Sequence, residues 1–213
     1  MKMFHAVDIF ARQTRIFTLY RTLRQNKLYR RWLQAGKNFP PPHLAKQQII
    51  REYAQRFNIP VFIETGTYLG DMVNAVKDIF DEIYSIELGM ELSQQAKKRF
   101  ANAKHITILQ GDSGEVLKDV LAYVEKPCLF WLDSHYSAGI TSKGNLTTPI
   151  QKELVHILNH PMVHSHRILI DDARSFTGEG DYPSIRFLQD LVTSAGFDNF
   201  QVKDDIIRIY KQV

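Results

Sequence analysis

Two glycines mark a turn that follows the apolar segment around Phe62. Gly66 and Gly70 bracket this turn, and a helix-forming stretch follows it. Glycine allows a backbone to approach a ligand closely, and the first turn of a helix presents free amide donors. Tyr68 stands where a G-x-G-x-x-G dinucleotide motif has its middle glycine, which disfavours a pyrophosphate site. The turn by itself fits either ligand binding or simple packing.

An acid ends the next apolar segment. Glu87 follows Gly66 by twenty-one residues, and an acid about 20 residues after such a turn accepts hydrogen bonds from ribose hydroxyls in nucleotide-binding sheets. Asp112 and Ser113 follow the third apolar segment, where they fit both a helix N-cap and a position beside a bound base. Together these residues predict a nucleoside ligand, although Glu87 alone would also fit a solvated strand end.

Three further acids follow the fourth and fifth apolar segments. Asp133 ends LFWLD, and Asp171 and Asp172 end RILIDD. Like charges at one edge of a sheet are costly unless a cation or proton neutralises them, and oxygen ligands favour Mg²⁺ over zinc. The alternative is that Asp133 orients a substrate directly while the acid pair bonds loop amides. His135 can accept a proton near neutral pH, because an ordinary imidazole titrates at about 6.5.

Elements of two kinds must position these residues. Short apolar segments alternate with helix-length amphipathic stretches, which is typical of βαβ units and a mainly parallel sheet. The strands are predicted over 61–65, 82–87, 105–110, 127–133 and 167–171, and the intervening helices over 69–80, 91–102, 113–124, 149–159 and 183–195. Two last strands, 200–203 and 206–211, flank a two-residue hairpin. The pattern predicts a three-layer α/β fold, with a seven-stranded, mostly parallel sheet and an antiparallel C-terminal hairpin.

These motifs resemble those of class I S-adenosylmethionine-dependent methyltransferases, whose fold is Rossmann-like, from about residue 45 onward. ETGTYLG is similar to the family's first motif, SIEL to its ribose-binding strand, and GDSGEVL to its adenine-side loop. The resemblance implies that the first motif contacts the methionine part of S-adenosylmethionine. The cofactor contacts that it implies fall on seven residues: Glu64, Gly66, Thr67, Gly70, Glu87, Asp112 and Ser113.

The acids after the fourth and fifth strands are similar to those of metal-dependent O-methyltransferases of the catechol and macrolide-sugar type. That resemblance implies Mg²⁺ bound by Asp133, Asp171 and Asp172. Such a metal binds a substrate hydroxyl, lowers its pKa and holds the oxygen in line with the methyl–sulfonium bond. Catechol-type enzymes use a lysine three residues after the first acid, whereas this sequence has Tyr136 there. We therefore predict Asp133 and His135 as the catalytic residues and leave the identity of the base open.

Charge divides the chain into two parts. Residues 1–47 carry ten Lys or Arg and one acid, whereas residues 48–213 carry seventeen against twenty-two. We expect residues 1–42 to form a basic helical appendage ending in a proline linker, and residues 43–213 to form the methyltransferase domain. The basic helix fits contact with an anionic surface, a second copy of the chain, or its own domain. The sequence has no apolar stretch of bilayer length, and its single cysteine, Cys128, forms no internal disulfide, so a cytoplasmic location is expected.

The leading hypothesis is methyl transfer from S-adenosylmethionine to an oxygen of a small molecule or sugar, assisted by a divalent metal. A catalytically silent cofactor-binding module is one alternative. A nucleic-acid methyltransferase is another, because the basic appendage would neutralise phosphates. The segment LDSHY lacks the two prolines typical of base-methylating enzymes, so nucleic acid is not the expected partner. Tyr68 argues against a nicotinamide-dependent oxidoreductase.

Overall fold

The computed structural model describes residues 15–37, 40–133 and 148–212. The chain divides into two compact units, Met1–Gln48 and Ile49–Val213. The functional boundary expected after residue 42 stays a prediction. None of the helices in the described ranges combines the length and apolar content needed to cross a bilayer.

The first unit contains helix α1, Arg15–Gln34, which has no acidic residue. Trp32 is its buried side chain, with Tyr29 packed beside it and the Lys37 ammonium 5.1 Å from its ring centre. Four cationic residues of this helix are exposed: Arg24, Lys27, Arg30 and Arg31. Their role in binding an anionic surface or a second copy of the chain stays a prediction.

The second unit is the expected alternation of strands and helices. The strands are β1 (Val61–Thr65), β2 (Glu82–Glu87), β3 (Ile106–Gln110), β4 (Cys128–Leu132), β5 (Arg167–Ile170), β6 (Asn199–Lys203) and β7 (Ile206–Tyr210). The helices after α1 are α2 (His43–Phe57), α3 (Asp71–Val76), α4 (Met90–Arg99), α5 (Ser113–Leu121), α6 (Ile150–Leu158) and α7 (Ile185–Ser194). Helix α3 ends four residues before the predicted end at residue 80; the other differences of boundary are smaller.

The sheet has the order β3-β2-β1-β4-β5-β7-β6. Strands β1 to β5 are parallel, and β7 inserts antiparallel between β5 and β6. The order reverses between β1 and β4, so the crevice of an open α/β sheet lies beyond the carboxyl ends of these two strands. The predicted seven-stranded sheet with an antiparallel C-terminal hairpin is confirmed.

Two apolar layers cover the faces of the sheet. Alternate residues of a strand face opposite layers, so Val61 and Ile63 pack with α5, α6 and α7, whereas Phe62 packs with α2, α3 and α4. All five residues of β1 and of β4 are buried, as expected for central parallel strands. The layers therefore fix the register of β1, and with it the faces on which the next two side chains, Glu64 and Thr65, lie.

The C-terminal hairpin turns at Asp204 and Asp205. Both residues have positive φ, 54° and 59°, as a two-residue type I′ turn requires, and aspartate tolerates this conformation better than most residues. The guanidinium of Arg208 donates to the Asp204 carboxylate at 3.2 Å. The hairpin predicted from the Asp-Asp pair is therefore present.

A buried histidine lies at the amino edge of the sheet. His166 is fully buried; its Nδ1 accepts from the amide of Cys128 at 3.1 Å, and its Nε2 lies 2.9 Å from Nδ1 of His160. Because Nδ1 accepts, the proton of the neutral ring is on Nε2. Burial, and to a lesser extent His160 and Arg167, lowers the pKa of His166 to about 3.

We expect this histidine to make the folded state acid-sensitive. Because the pKa of His166 is lower in the folded than in the unfolded chain, unfolding takes up a proton between about pH 3 and pH 6.5. The free energy of unfolding should therefore rise by up to about 1.4 kcal/mol per pH unit across that window and level off above it. Urea titrations of the full chain at several pH values would measure this slope.

In the variant His166→Gln, the slope of the unfolding free energy against pH should fall by the contribution of about one proton, because glutamine does not titrate. Glutamine can still accept a hydrogen bond from the Cys128 amide. The matched control is His105→Gln, at an exposed residue whose ring contacts the Lys77 carbonyl. Equal slopes in the His166→Gln variant and the wild-type protein would show that His166 is not the group responsible.

Candidate functional site

The glycine turn after β1 is fixed to the end of β2. The amides of Gly66 and Thr67 donate to the carbonyl of Ile86 at 2.9 and 3.3 Å, and the amide of Gly70 closes the turn on the Thr67 carbonyl at 2.8 Å. Gly66 and Gly70 have positive φ, 90° and 72°, which glycine adopts without strain. The turn thus lies at the carboxyl edge, at the reversal of strand order, where the sequence predicted it.

Glu87 joins this turn to the loop after β2. Its Oε2 accepts from the amide of Tyr68 at 2.7 Å, and its Oε1 accepts from the amide of Gly89 at 2.8 Å. Tyr68 has a φ of 48°, a left-handed conformation that costs a non-glycine residue energy. The carboxylate therefore compensates for the missing middle glycine, and each oxygen keeps a lone pair for a ligand hydroxyl. Burial raises the pKa of Glu87, opposed by these two amides.

Glu64 is the inner acid of the site. It is 2% exposed on β1, directly beside Ser85 of β2. The Ser85 hydroxyl donates to Oε2 of Glu64 at 2.5 Å, and the Thr67 hydroxyl lies 2.6 Å from that of Ser85. Burial raises the pKa of Glu64 to about 8, and the carboxylates of Asp133, Glu87 and Asp71 add to that rise.

A second inner acid, Glu153 of α6, was not predicted. It is 1% exposed, and the Ser113 hydroxyl donates to its Oε1 at 2.5 Å. Burial raises the pKa of Glu153 to about 7. The sequence contained a signal: Glu153 lies between Ile150 and Ile157 on the otherwise apolar, buried face of α6. An acid on such a face has to find a polar partner, and here that partner lies at the start of α5.

Asp112 and Ser113 lie at the start of α5. Asp112 is the N-cap, and its side chain accepts from the amide of Gly114 at 2.9 Å. Ser113 is 3% exposed and is held by Glu153. The capping interpretation of Asp112 is therefore confirmed, while its predicted contact with an adenine stays a prediction.

The acids after β5 are tied to the C-terminal hairpin. Asp171 is buried and accepts from the amide of Asp172 at 2.9 Å. Asp172, at a φ of 54°, accepts from the Arg174 guanidinium at 2.9 Å, and the same guanidinium bonds Asp205. Asp171, Asp172, Glu153 and Tyr182 also line a cavity of about 10 Å³, room for one water molecule.

Asp133 follows β4 at the same edge, and its amide donates to the carbonyl of Thr65 at 3.1 Å. His135, the predicted proton acceptor, lies outside the described residues, as does Tyr136. The structure thus brings together the glycine turn, Glu64, Glu87, Asp112, Ser113 and Asp133 around the carboxyl ends of β1 to β4. The assignment of these residues to catalysis and cofactor binding stays a prediction.

Comparison with known proteins establishes the fold. No family model and no curated protein matches the sequence. Among solved structures, a methyltransferase of Podospora anserina bound to S-adenosylhomocysteine is 17% identical, with 87% of this chain and 88% of that chain covered at a TM-score of 0.58. The O-methyltransferase TomG of Streptomyces achromogenes, in complex with S-adenosylmethionine, is 11% identical, with coverages of 88% and 89% and a TM-score of 0.58. The chain has the class I methyltransferase fold.

A third structure of this fold spans nearly the whole chain. A candidate caffeoyl-CoA O-methyltransferase of Staphylococcus aureus is 15% identical, with 97% of each chain covered and a TM-score of 0.56. At such identities the likeness shows the methyltransferase fold and leaves the reaction to be argued from the site.

The cleft of this methyltransferase fold fits a cationic, nucleoside-containing cofactor. S-adenosylmethionine combines ribose hydroxyls with a sulfonium and an ammonium group. The described edge offers Glu87 lone pairs for the hydroxyls, and it holds Glu64 with a single hydroxyl donor and no ion pair within the described residues. Acidic groups of this kind suit a ligand that brings positive charge.

The predicted magnesium ligands do not converge in the same way. No group of three or more His, Cys, Asp or Glu side chains in the described residues is arranged to hold a metal ion. Asp172 instead points its carboxylate at the Arg174 guanidinium. This donor arrangement does not fit a three-carboxylate site formed by Asp133, Asp171 and Asp172, so the metal stays a prediction from the sequence and no chemical step is assigned to it.

We expect Gly70 to be required for the geometry of the turn. A Cβ at Gly70 would lie 2.7 Å from the buried ring of Phe100, whereas a Cβ at Gly180 would meet nothing within 4 Å. Both glycines have positive φ, 72° and 60°, so both alanine variants should lose about 1–2 kcal/mol to backbone strain. Gly70→Ala should lose a further 1–3 kcal/mol or so, because the added methyl overpacks the turn.

Chemical denaturation of the two variants measures the difference, and Gly180→Ala controls for the backbone term. If the two alanine variants were equally stable, Gly70 would not be closely packed against Phe100.

Proposed function

We propose that this chain is a methyltransferase that transfers a methyl group from S-adenosylmethionine to an oxygen of a small-molecule or sugar acceptor. The observation that carries the proposal is the glycine turn held by Glu87 at the reversal of strand order. The three structural comparisons, all with methyltransferases or candidate methyltransferases, agree with it.

The cofactor supplies a methyl group made electrophilic by its positively charged sulfur. The residues of the chain have to bind and orient it. Glu87 accepts from the ribose hydroxyls through its remaining lone pairs, Glu64 provides negative charge near the methionine part, and the Asp112–Ser113 segment flanks the base. Holding both reactants in line replaces a bimolecular encounter with an oriented one, which is the main source of acceleration in such a displacement.

The acceptor binds on the side of Asp133 and the loop after β5. Tyr182 lies there beside Asp171 and Asp172, so the wall offers a phenol and carboxylates to hydroxyl groups of an acceptor. A polyanion would meet repulsion from these acids, which disfavours a nucleic-acid acceptor. As the oxygen attacks the methyl carbon, its proton leaves to a base; His135 is the residue predicted for that role.

We expect Glu87 to be required for cofactor affinity. In Glu87→Gln, one oxygen becomes an amide nitrogen, so the side chain loses its charge and one acceptor for the hydroxyls and the Tyr68 amide. Charge-assisted hydrogen bonds contribute about 1.5–3 kcal/mol each, so the Kd for S-adenosylmethionine should rise about 10- to 100-fold. Isothermal titration calorimetry measures it.

The control variant is Glu125→Gln, an exposed acid that lies outside the cleft, and it should bind with the wild-type Kd. Absence of S-adenosylmethionine binding by the wild-type protein would contradict the proposed function. Binding without transfer to any of a panel of hydroxylated acceptors would leave a silent cofactor-binding module instead.

We expect methyl transfer to survive removal of divalent cations. The Asp172 carboxylate is paired with Arg174, and the described residues contain no group of three acidic side chains arranged to hold a metal ion. Once an acceptor is found, initial rates with excess EDTA and with added Mg²⁺ should agree within about twofold, a difference of about 0.4 kcal/mol in activation free energy. If EDTA abolished activity and added Mg²⁺ restored it, the expected independence from divalent cations would be wrong and the predicted metal site would be supported.

A further inference from the structure

Glu64 differs from Glu87 and Asp172 in what neutralises it. Glu87 accepts from two backbone amides and Asp172 from a guanidinium, whereas the donor to Glu64 among the described residues is the Ser85 hydroxyl. Within the described residues, no Lys, Arg or His forms an ion pair with it. A fully buried carboxylate with one neutral donor is costly, so it is stable either with a proton of its own or with a cation beside it.

Three carboxylates raise the pKa of Glu64, and one of them, Asp71, is paired with Arg99 of α4 at 2.9 Å. They come from three elements: Asp71 at the start of α3, Glu87 at the end of β2, and Asp133 after β4. Burial is the largest cause of the raised pKa of Glu64, about 8, and these carboxylates raise it further. Without a ligand, therefore, Glu64 holds its proton at neutral pH.

The cofactor and its product differ by one charge at the reacting sulfur. S-adenosylmethionine has a positive sulfonium there, and its demethylated product, S-adenosylhomocysteine, has a neutral thioether. An ionised Glu64 therefore raises the affinity for S-adenosylmethionine relative to S-adenosylhomocysteine. By thermodynamic reciprocity, the bound sulfonium in turn favours the ionised form of Glu64. The low dielectric constant of a buried site strengthens this coupling.

We propose that Glu64 makes the cleft bind the sulfonium cofactor in preference to its demethylated product. Glu64 releases a proton when S-adenosylmethionine binds and regains one when S-adenosylhomocysteine is formed. This inference rests on the proposed function. On binding, the O–H bond of the Glu64 carboxyl breaks and its proton passes to the solvent. In the transfer, sulfur keeps the electron pair of the broken S–C bond, the acceptor oxygen forms the new C–O bond and loses its proton, and Glu64 takes a proton back from solvent.

Calorimetry in buffers of different ionisation enthalpy tests this with the full chain. At pH 7, binding of S-adenosylmethionine should release up to about 0.9 proton, the fraction that a group with a pKa of about 8 still holds. Binding of S-adenosylhomocysteine, which keeps the ammonium group but lacks the sulfonium charge, should release fewer protons. The ratio of the two affinities should therefore rise by up to about tenfold per pH unit from pH 6 to pH 8 and level off above.

Two variants identify the group. Glu64→Gln keeps an acceptor for Ser85 but cannot titrate, so proton release should vanish and the affinity ratio should become independent of pH. Glu153→Gln removes a second buried carboxyl whose pKa is raised, and it should retain proton release. If Glu64→Gln does not fold, the wild-type comparison of the two ligands still decides whether the linkage exists.

The outcomes separate the inference from the function on which it rests. Equal proton release with both ligands, release that survives in Glu64→Gln, or release lost only in Glu153→Gln would each overturn the role of Glu64 while leaving cofactor binding intact. Failure of the wild-type protein to bind S-adenosylmethionine would overturn the proposed function itself.

Discussion

The bridge from Glu87 to the amides of Tyr68 and Gly89 is the interaction on which the rest of the site depends. It connects the loops after two neighbouring parallel strands, and it stabilises a left-handed residue where related nucleotide-binding turns use glycine. A carboxylate with two oxygens can hold two amides and still accept from a ligand. The same group thus shapes the cleft and, in the proposed function, accepts from the ribose.

Two buried acids below this bridge give the cleft its second property. Glu64 and Glu153 lie at the same edge but on opposite faces of the sheet. Alternation along β1 directs Glu64 to one apolar layer and Thr65 to the other, and helix α6, which carries Glu153, covers the layer of Thr65. Each has a hydroxyl as its donor, from Ser85 and Ser113 respectively. Described guanidinium groups neutralise acids of this edge at two points: Arg99 pairs with Asp71, and Arg174 joins Asp172 to the C-terminal hairpin.

The sequence predicted the sheet well because strand-length apolar runs and the Asp204–Asp205 turn each determine local structure directly. It also predicted that the glycine turn, Glu87 and Asp112 share one edge, since parallel strands end together. It did not predict Glu153, which reaches the edge through helix packing between residues forty apart in sequence. Nor did it predict that Arg174 pairs with both Asp172 and Asp205, because the position of the hairpin beside β5 follows from the sheet order, which local patterns do not determine.

The most direct test of the account is a crystal structure with S-adenosylhomocysteine bound. The account predicts both ribose hydroxyls within about 3.2 Å of the Glu87 carboxylate, with the hydrogen bonds from Tyr68 and Gly89 preserved. It also predicts the amino-acid end of the ligand on the side of Glu64. A ligand bound elsewhere, or a Glu87 that makes no contact with the ribose, would contradict the central claim.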